Sequence, residues 1–416
     1  MAPGVRSNVT GLLDGLATAT ILAAMSPQLP SALVRQLLDE ARAEDIDVHL
    51  IVADLSGTWD FLDGAAQTDL AAGQLRITAL AGTVPRQLAD LVGHLPVPLW
   101  ETDRLIASGA LGIDVFLARV EPQSFGAMVG YSTSALSVAP RVAFEVVPTN
   151  RAPLPGSELD ISIADHLLTM DPGPRAVART APASDEQRHI ARLTAALVPD
   201  GATLQLGIGA VPDLIAAHLV DRHDLGLHSG LLPGSTQALI ASGAVTGRRK
   251  SRQQGRHVAT GVDGGDPNGW GKDVLLQPLS KTHDPQLLLG HENLWALNSA
   301  YQVDLAGQVN AEYIGRQRRA SGAGQADFAR AAHAGGGASV ITVPSRTSDG
   351  RPRIVTALDC PVTTPASDID YVVTEHGVAH LTGRTGAERA AALVAVAHPD
   401  DRTDLLDGHH RQRNVA

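Results

Sequence analysis

Apolar positions along this chain recur in two alternating rhythms. Across residues 31–44, Leu33, Val34, Leu37, Leu38 and Ala41 recur at helical spacing. The next segment, Val48-His49-Leu50-Ile51-Val52, is a short apolar run of strand length. Residues 113–120 and 142–147 predict two further strands, the second preceded by a Ser/Ala-rich helical segment near 131–139. A polar, proline-bearing stretch at 173–187 reads as a linker. The rhythm then restarts with a strand at 202–206, a tight Gly207-Ile208-Gly209-Ala210 turn and a helix at 212–220. Pro212 opens that helix, which a first-turn position allows. Strands at 339–343 and 371–373 and a final helix at 387–397 close the pattern. Strands alternating with helices predict an α/β fold with mostly parallel sheets flanked by helices.

The chain is 416 residues long, more than one hydrophobic core of roughly 250–300 residues accommodates. Two α/β domains are expected, 1–185 and 186–416. The formal net charge of −11 gives no general attraction to nucleic acid or to an anionic membrane surface. One dense basic run stands out, Arg248-Arg249-Lys250-Ser251-Arg252. It reads either as a solvated loop or as a contact to the phosphates of a nucleotide-like ligand. The single cysteine, Cys360, excludes an intramolecular disulfide and reads as a small buried hydrophobe. No apolar run reaches the 18 residues of a membrane span. Residues 11–25 are interrupted by Asp14 and preceded only by Arg6, a poor signal peptide. A cytoplasmic location is the expectation.

Three segments carry candidate chemistry. The Gly207-Ile208-Gly209 turn lets a ligand approach the backbone ahead of a helix N-terminus, which favours negative charge. It lacks the third glycine of a dinucleotide fingerprint. The second segment is Ser321-Gly322-Ala323-Gly324-Gln325, whose backbone amides suit a developing oxyanion. The third is Leu225-Gly226-Leu227-His228-Ser229-Gly230. His228 offers a base and Ser229 a nucleophile or polar orienter, but neighbours on a strand point to opposite faces. No Gly-x-Ser-x-Gly elbow supports a serine hydrolase. Glu375-His376-Gly377 follows a strand and offers a further pocket lining. The histidines show no metal-ligand spacing, so no metal is expected.

The order of these segments resembles the acetyl-CoA hydrolase/transferase family, the 4-hydroxybutyrate CoA-transferase-like branch of the class I CoA-transferases. The resemblance runs through 204–213, 224–229, 239–247, 297–300, 303–309, 321–328 and 372–379, and more loosely through 112–115 and 145–150. It implies two CoA-transferase-like domains, an acyl-CoA substrate, coenzyme A as the only cofactor-like group, and a homodimer. In the family a glutamate after His and Thr or Ser attacks the thioester, a form of covalent catalysis. Here that position is Gly230. The resemblance places catalytic groups at His228, Ser229, Gly324 and Glu375. It places CoA or substrate contacts at Gly207, Gly209, Gly230, Gly322, Ala323, Gln325, His376 and Gly377. Three readings follow. An acceptor, whether amine, alcohol or water, attacks the acyl-CoA directly, with His228 as base and the Gly324 amide on the oxyanion. Alternatively another carboxylate, Glu292 or Glu375, replaces the glutamate in a CoA-transferase or hydrolase. Alternatively the protein binds CoA without catalysis. The first is the favoured reading.

Overall fold

A computed structural model describes residues 10–170, 182–321 and 324–413. The linker expected at 173–187 lies mostly outside the described residues. Its last part is helical: Ser184 caps the helix Asp185–Leu197 in a reciprocal capping box with Gln187, and Asp185 and Glu186 occupy the first turn. Polar residues there serve a helix start, which explains why they mimic a linker.

Two sheets organise the chain. The first has seven parallel strands, in the spatial order Gly93–His94, Leu75–Gly82, Asp47–Asp54, Thr18–Ala23, Val115–Val120, Arg141–Val146 and His166–Thr169. The second has eight, in the order Val274–Leu276, His257–Asp263, Gly226–Pro233, Thr203–Leu206, Leu294–Ser299, Ala338–Thr342, Tyr371–Thr374 and Gly377–His380. Only its last pair is antiparallel. In each sheet the earliest strand lies inside. The chain adds three strands on one side of it and then crosses to the other. That crossing creates a crevice beside the first strand, where open α/β sheets receive ligands at the carboxyl ends of their strands.

The expected helices and strands are present with shifted ends. The helix after the glycine turn is Ala210–Ala217, so Pro212 falls in its first turn. The helix Gly386–Val396 is followed by one more, Arg402–Arg413, which the apolar pattern did not announce. Cys360 is half-buried rather than a core residue, because it sits among exposed loop positions. The basic run also differs from a solvated loop. Lys250 is buried, its Nζ donating to the carbonyls of Leu227 (2.9 Å) and Arg256 (2.7 Å).

The two sheets share a core. One buried cluster includes Leu22 and Phe116 of the first sheet with Leu204, Leu227 and Val340 of the second. The backbone seals the junction. Val129 N–H donates to Thr260, Val262 N–H to Ala127 and Leu279 N–H to Gly130, at 2.8–3.0 Å. No helix among the described residues is long and apolar enough to cross a membrane.

Candidate active site

The strand Gly226–Pro233 carries His228, Ser229 and Gly230 in its middle. Alternation turns His228 and Gly230 to one face and Ser229 to the other. The Ser229 hydroxyl donates to the Leu206 carbonyl (3.2 Å) and accepts from the Leu206 amide (3.3 Å). Fully buried, it clasps two neighbouring strands, which commits its hydroxyl proton. Continuing the register of Leu204 opposite Leu227 places Gly207 beside Gly230. Gly209, at φ +122°, then turns the chain into the helix Ala210–Ala217. Between the two glycines Ile208 is 56% exposed, an apolar side chain left open to solvent at the turn.

His228 is buried, and its Nε2 lies 3.0 Å from the Thr282 carbonyl. A carbonyl only accepts, so Nε2 carries the proton and the lone pair is on Nδ1. That Nδ1 is buried without a partner among the described residues. Desolvation, with nearby His291 and Lys250, holds the His228 pKa well below its ordinary value. The ring packs 4.3 Å from that of His291. Both line a cavity of about 420 Å³ together with Ser251, Arg252 and Lys281.

Gly230 and Gly324 approach a residue that the sequence did not single out, His283. A Cβ at position 230 would stand 2.9 Å from His283 Nε2, and one at 324 only 2.6 Å from the same atom. The imidazole edge therefore occupies the space into which either side chain would grow. The ring is buried, with Phe328 edge-on at 5.0 Å. Desolvation lowers the pKa of His283 to about 3, so the ring is neutral at physiological pH. Its Nδ1 lies 2.8 Å from Thr282 Oγ1, and that hydroxyl reaches the Pro278 carbonyl at 3.3 Å. Thr282 thus holds both histidines, one through its carbonyl and one through its hydroxyl.

Gly324 precedes the helix Gln325–Ala334. The chain before it is stitched to the first sheet: Val84 N–H donates to Arg319 (2.9 Å), Ser321 N–H to Gly82 (3.1 Å), and Thr83 bridges Ala320. Gly322 and Ala323 lie outside the described residues. Gln325 is buried and its Nε2 has no partner among the described residues. The structure thus brings together Gly207, Gly209, Gly230, Gly324 and His283 near the crevice, with Gln325 beginning the adjoining helix.

Glu375, His376 and Gly377 are elsewhere. They follow the strand Tyr371–Thr374, four strand positions from the strand of Gly230, roughly 19 Å at the usual interstrand spacing. The Glu375 carboxylate accepts from the Ser345 amide (2.9 Å) and from the Ser345 hydroxyl. His376 stacks edge-on against His398, and Gly377 opens the antiparallel edge strand. Glu292 is exposed, just before the amino end of Leu294–Ser299. The one cluster among the described residues with metal-ligand geometry, Asp14, Glu40 and Glu44, involves the helix Ser31–Ala43. There Glu40 already accepts from the amides of Gly11 and Leu13.

Comparison with known proteins decides the family. Residues 270–409 match the acetyl-CoA hydrolase/transferase C-terminal domain. A 4-hydroxybutyrate coenzyme A transferase of Clostridium kluyveri is 34% identical over 330 residues, 76% of each chain. The chain belongs to the acetyl-CoA hydrolase/transferase family. Among solved structures, RipA from Yersinia pestis superposes with a TM-score of 0.86 at 30% identity, covering 97% of this chain and 96% of that one. A 4-hydroxybutyrate CoA-transferase from Porphyromonas gingivalis gives 0.74 at 26% identity, covering 96% and 94%. Membership brings the CoA-transferase fold and the class of enzyme, a CoA-thioester-dependent transferase with hydrolysis as the variant.

Sequence reasoning missed His283 and Thr282 because nothing local marks them. In the structure Thr282 ends one short helix, His283 is its C-cap, and Asp284 caps the next, Pro285–Leu289. Only the close approach of two distant glycines exposes the histidine.

Proposed function

We propose that this enzyme passes an acyl group from coenzyme A directly to a second bound substrate or to water, without a glutamyl-CoA intermediate. One observation carries the reading: position 230 is a glycine, and its side-chain space is filled by His283 Nε2. A glycine cannot form an acyl anhydride. The alternative carboxylates do not favour a substitute, since Glu375 is engaged by Ser345 far along the sheet and Glu292 is exposed.

The acyl-CoA would enter the crevice beside Gly207, with Ile208 against its apolar part. The thioester carbonyl would face the Gly324 amide. Backbone donors aimed at a developing oxyanion contribute about 10²–10³-fold. Holding both substrates in one cleft adds the benefit of proximity. His228 would act at one remove, holding Thr282 through its carbonyl.

The names of the relatives favour a second reading. Several are transferases that exchange CoA between carboxylates. Here the acceptor carboxylate itself would attack the thioester, giving a mixed anhydride that the released CoA then opens on the other side.

Mass-spectrometric product analysis separates these. Acetyl-, butyryl- and succinyl-CoA are each incubated with the enzyme alone, with acetate and with a simple amine. Free CoA with a new amide, ester or acid is the expected result. An exchanged acyl-CoA supports the second reading, and a CoA adduct on a wild-type carboxylate overturns both.

A further inference from the structure

We infer that His283 is a catalytic base, its Nε2 standing beside Gly230 and Gly324 where it receives the proton of the attacking acceptor. The inference deepens the direct-transfer reading and rests on it.

Placement is the first argument. His283 Nε2 is the atom nearest the Cβ position of residue 230, at 2.9 Å, and it comes closer still, 2.6 Å, to that of Gly324. The same ring edge therefore borders both the vacant nucleophile position and the backbone amide that would hold the oxyanion. Either a larger residue at 324 or a side chain at 230 would have to displace the ring.

The hydrogen-bond chain behind the ring is the second. The Pro278 carbonyl can only accept, so it takes the Thr282 hydroxyl proton. With its own proton directed there, Thr282 Oγ1 accepts from His283 Nδ1–H. This arrangement assigns the proton to Nδ1 and leaves the lone pair on Nε2, on the side of Gly230 and Gly324. Nε2 itself makes no hydrogen bond to any described residue, so the lone pair is uncommitted. Burial keeps the ring neutral, the form that accepts a proton, and negative charge developing on the nearby carbonyl oxygen strengthens it as a base.

The step balances. The acceptor's O–H or N–H loses its proton to Nε2 as its heteroatom bonds to the thioester carbon. The carbonyl electron pair moves onto oxygen at the Gly324 amide. On collapse the C–S bond breaks, and the CoA thiolate takes the proton back from Nε2 to leave as free thiol. Thr282 is the positioning residue that turns the lone pair inward.

The test combines turnover with tautomer. Thiol release from acetyl-, butyryl- and succinyl-CoA should fall about 10²–10⁴-fold in His283→Ala and His283→Gln, the usual contribution of a general base. Added imidazole should restore part of it in His283→Ala, whose cavity admits the ring. Thr282→Val should lose turnover with KM unchanged, and Thr282→Ser should retain it. Long-range ¹H–¹⁵N spectra of the wild-type protein without substrate should show His283 protonated on Nδ1. Protonation on Nε2 overturns the inference whether or not any of the three thioesters is turned over. Turnover within threefold of wild type in both histidine variants also overturns it and leaves direct transfer standing. An acyl group mapped to His283 itself makes it a nucleophile and overturns the base role. A CoA adduct on a carboxylate instead removes the direct-transfer reading beneath it.

Discussion

At the scale of single residues, the exchange between positions 230 and 283 is steric before it is chemical. Gly230→Glu alone drives a Cβ into contact with His283 Nε2, and overpacking of this kind costs about 1–3 kcal/mol. Shortening the histidine relieves it. The pair Gly230→Glu with His283→Asn is therefore expected to accumulate a CoA adduct on the new carboxylate when acyl-CoA is added, more than Gly230→Glu alone. Intact-mass spectrometry reads this, and no adduct in either variant would mean that position 230 does not face the thioester. Part of this site was legible in the sequence. The glycine turn, the His-Ser-Gly strand and the glycine-rich loop are local patterns, and the structure brings Gly207, Gly230 and Gly324 of them together. Strand alternation also foretold that His228 and Ser229 would not act as a dyad. His283 was not legible, since its role comes from contacts with residues 53 and 41 positions away along the chain. Glu375 was offered as a pocket lining by its place after a strand and as a catalytic group by the resemblance, and the sheet order holds it apart from Gly230.

At the scale of elements, the strand Gly226–Pro233 is held at its start by a buried amine. The Lys250 stem lies over Gly226, where a Cβ would come 2.4 Å from its Cγ. Its Nζ bridges the Leu227 and Arg256 carbonyls, tying the strand to the chain entering the next one, His257–Asp263. Desolvation lowers its pKa from 10.5 to about 7. Between those values the unfolded chain holds a proton that the folded chain has released. Stability from this group therefore rises with pH across about 7 to 10.5, by up to about 1.4 kcal/mol per unit. Below that window both states are protonated and the dependence ends. Lys250→Met keeps the stem and removes the titration. Urea unfolding at pH 7, 8 and 9 should show wild type gaining on Lys250→Met at each step, and a constant difference would refute the assignment. The apolar rhythm located the elements well where one face is buried, as in Ser31–Ala43 with Leu33, Val34, Leu37 and Leu38 inside. It failed for Arg402–Arg413, which is polar nearly all round, with Leu405 as its core anchor.

At the scale of the whole molecule, the two sheets repeat one winding order, yet they are not energetically separate. Their buried residues form a common cluster, and strand His257–Asp263 exchanges backbone hydrogen bonds with residues 127–129. The loop bearing Gly324 depends on the same junction, because its anchors, Gly82 and Val84, belong to the first half. Burial pushes the pKa of Asp327, which follows Gly324 in the helix Gln325–Ala334, up to about 7, against the lowering influence of the Leu99 and Trp100 amides of the first half. Catalytic geometry in the second half thus relies on the first being folded. One cooperative transition is expected in calorimetry, although chains of this length often unfold domain by domain. The tryptophans test it from within. Trp59 and Trp100 report on the first half, and Trp270 and Trp295 on the second. Variants that keep one pair or the other should give coincident fluorescence and thiol-release midpoints in urea. Leu22→Ala, in the shared core, should lower both midpoints together, by about 2–5 kcal/mol of stability. If the Trp270–Trp295 signal instead survives after the Trp59–Trp100 signal is lost, with turnover intact, the second half holds its site alone and the shared core is only a contact.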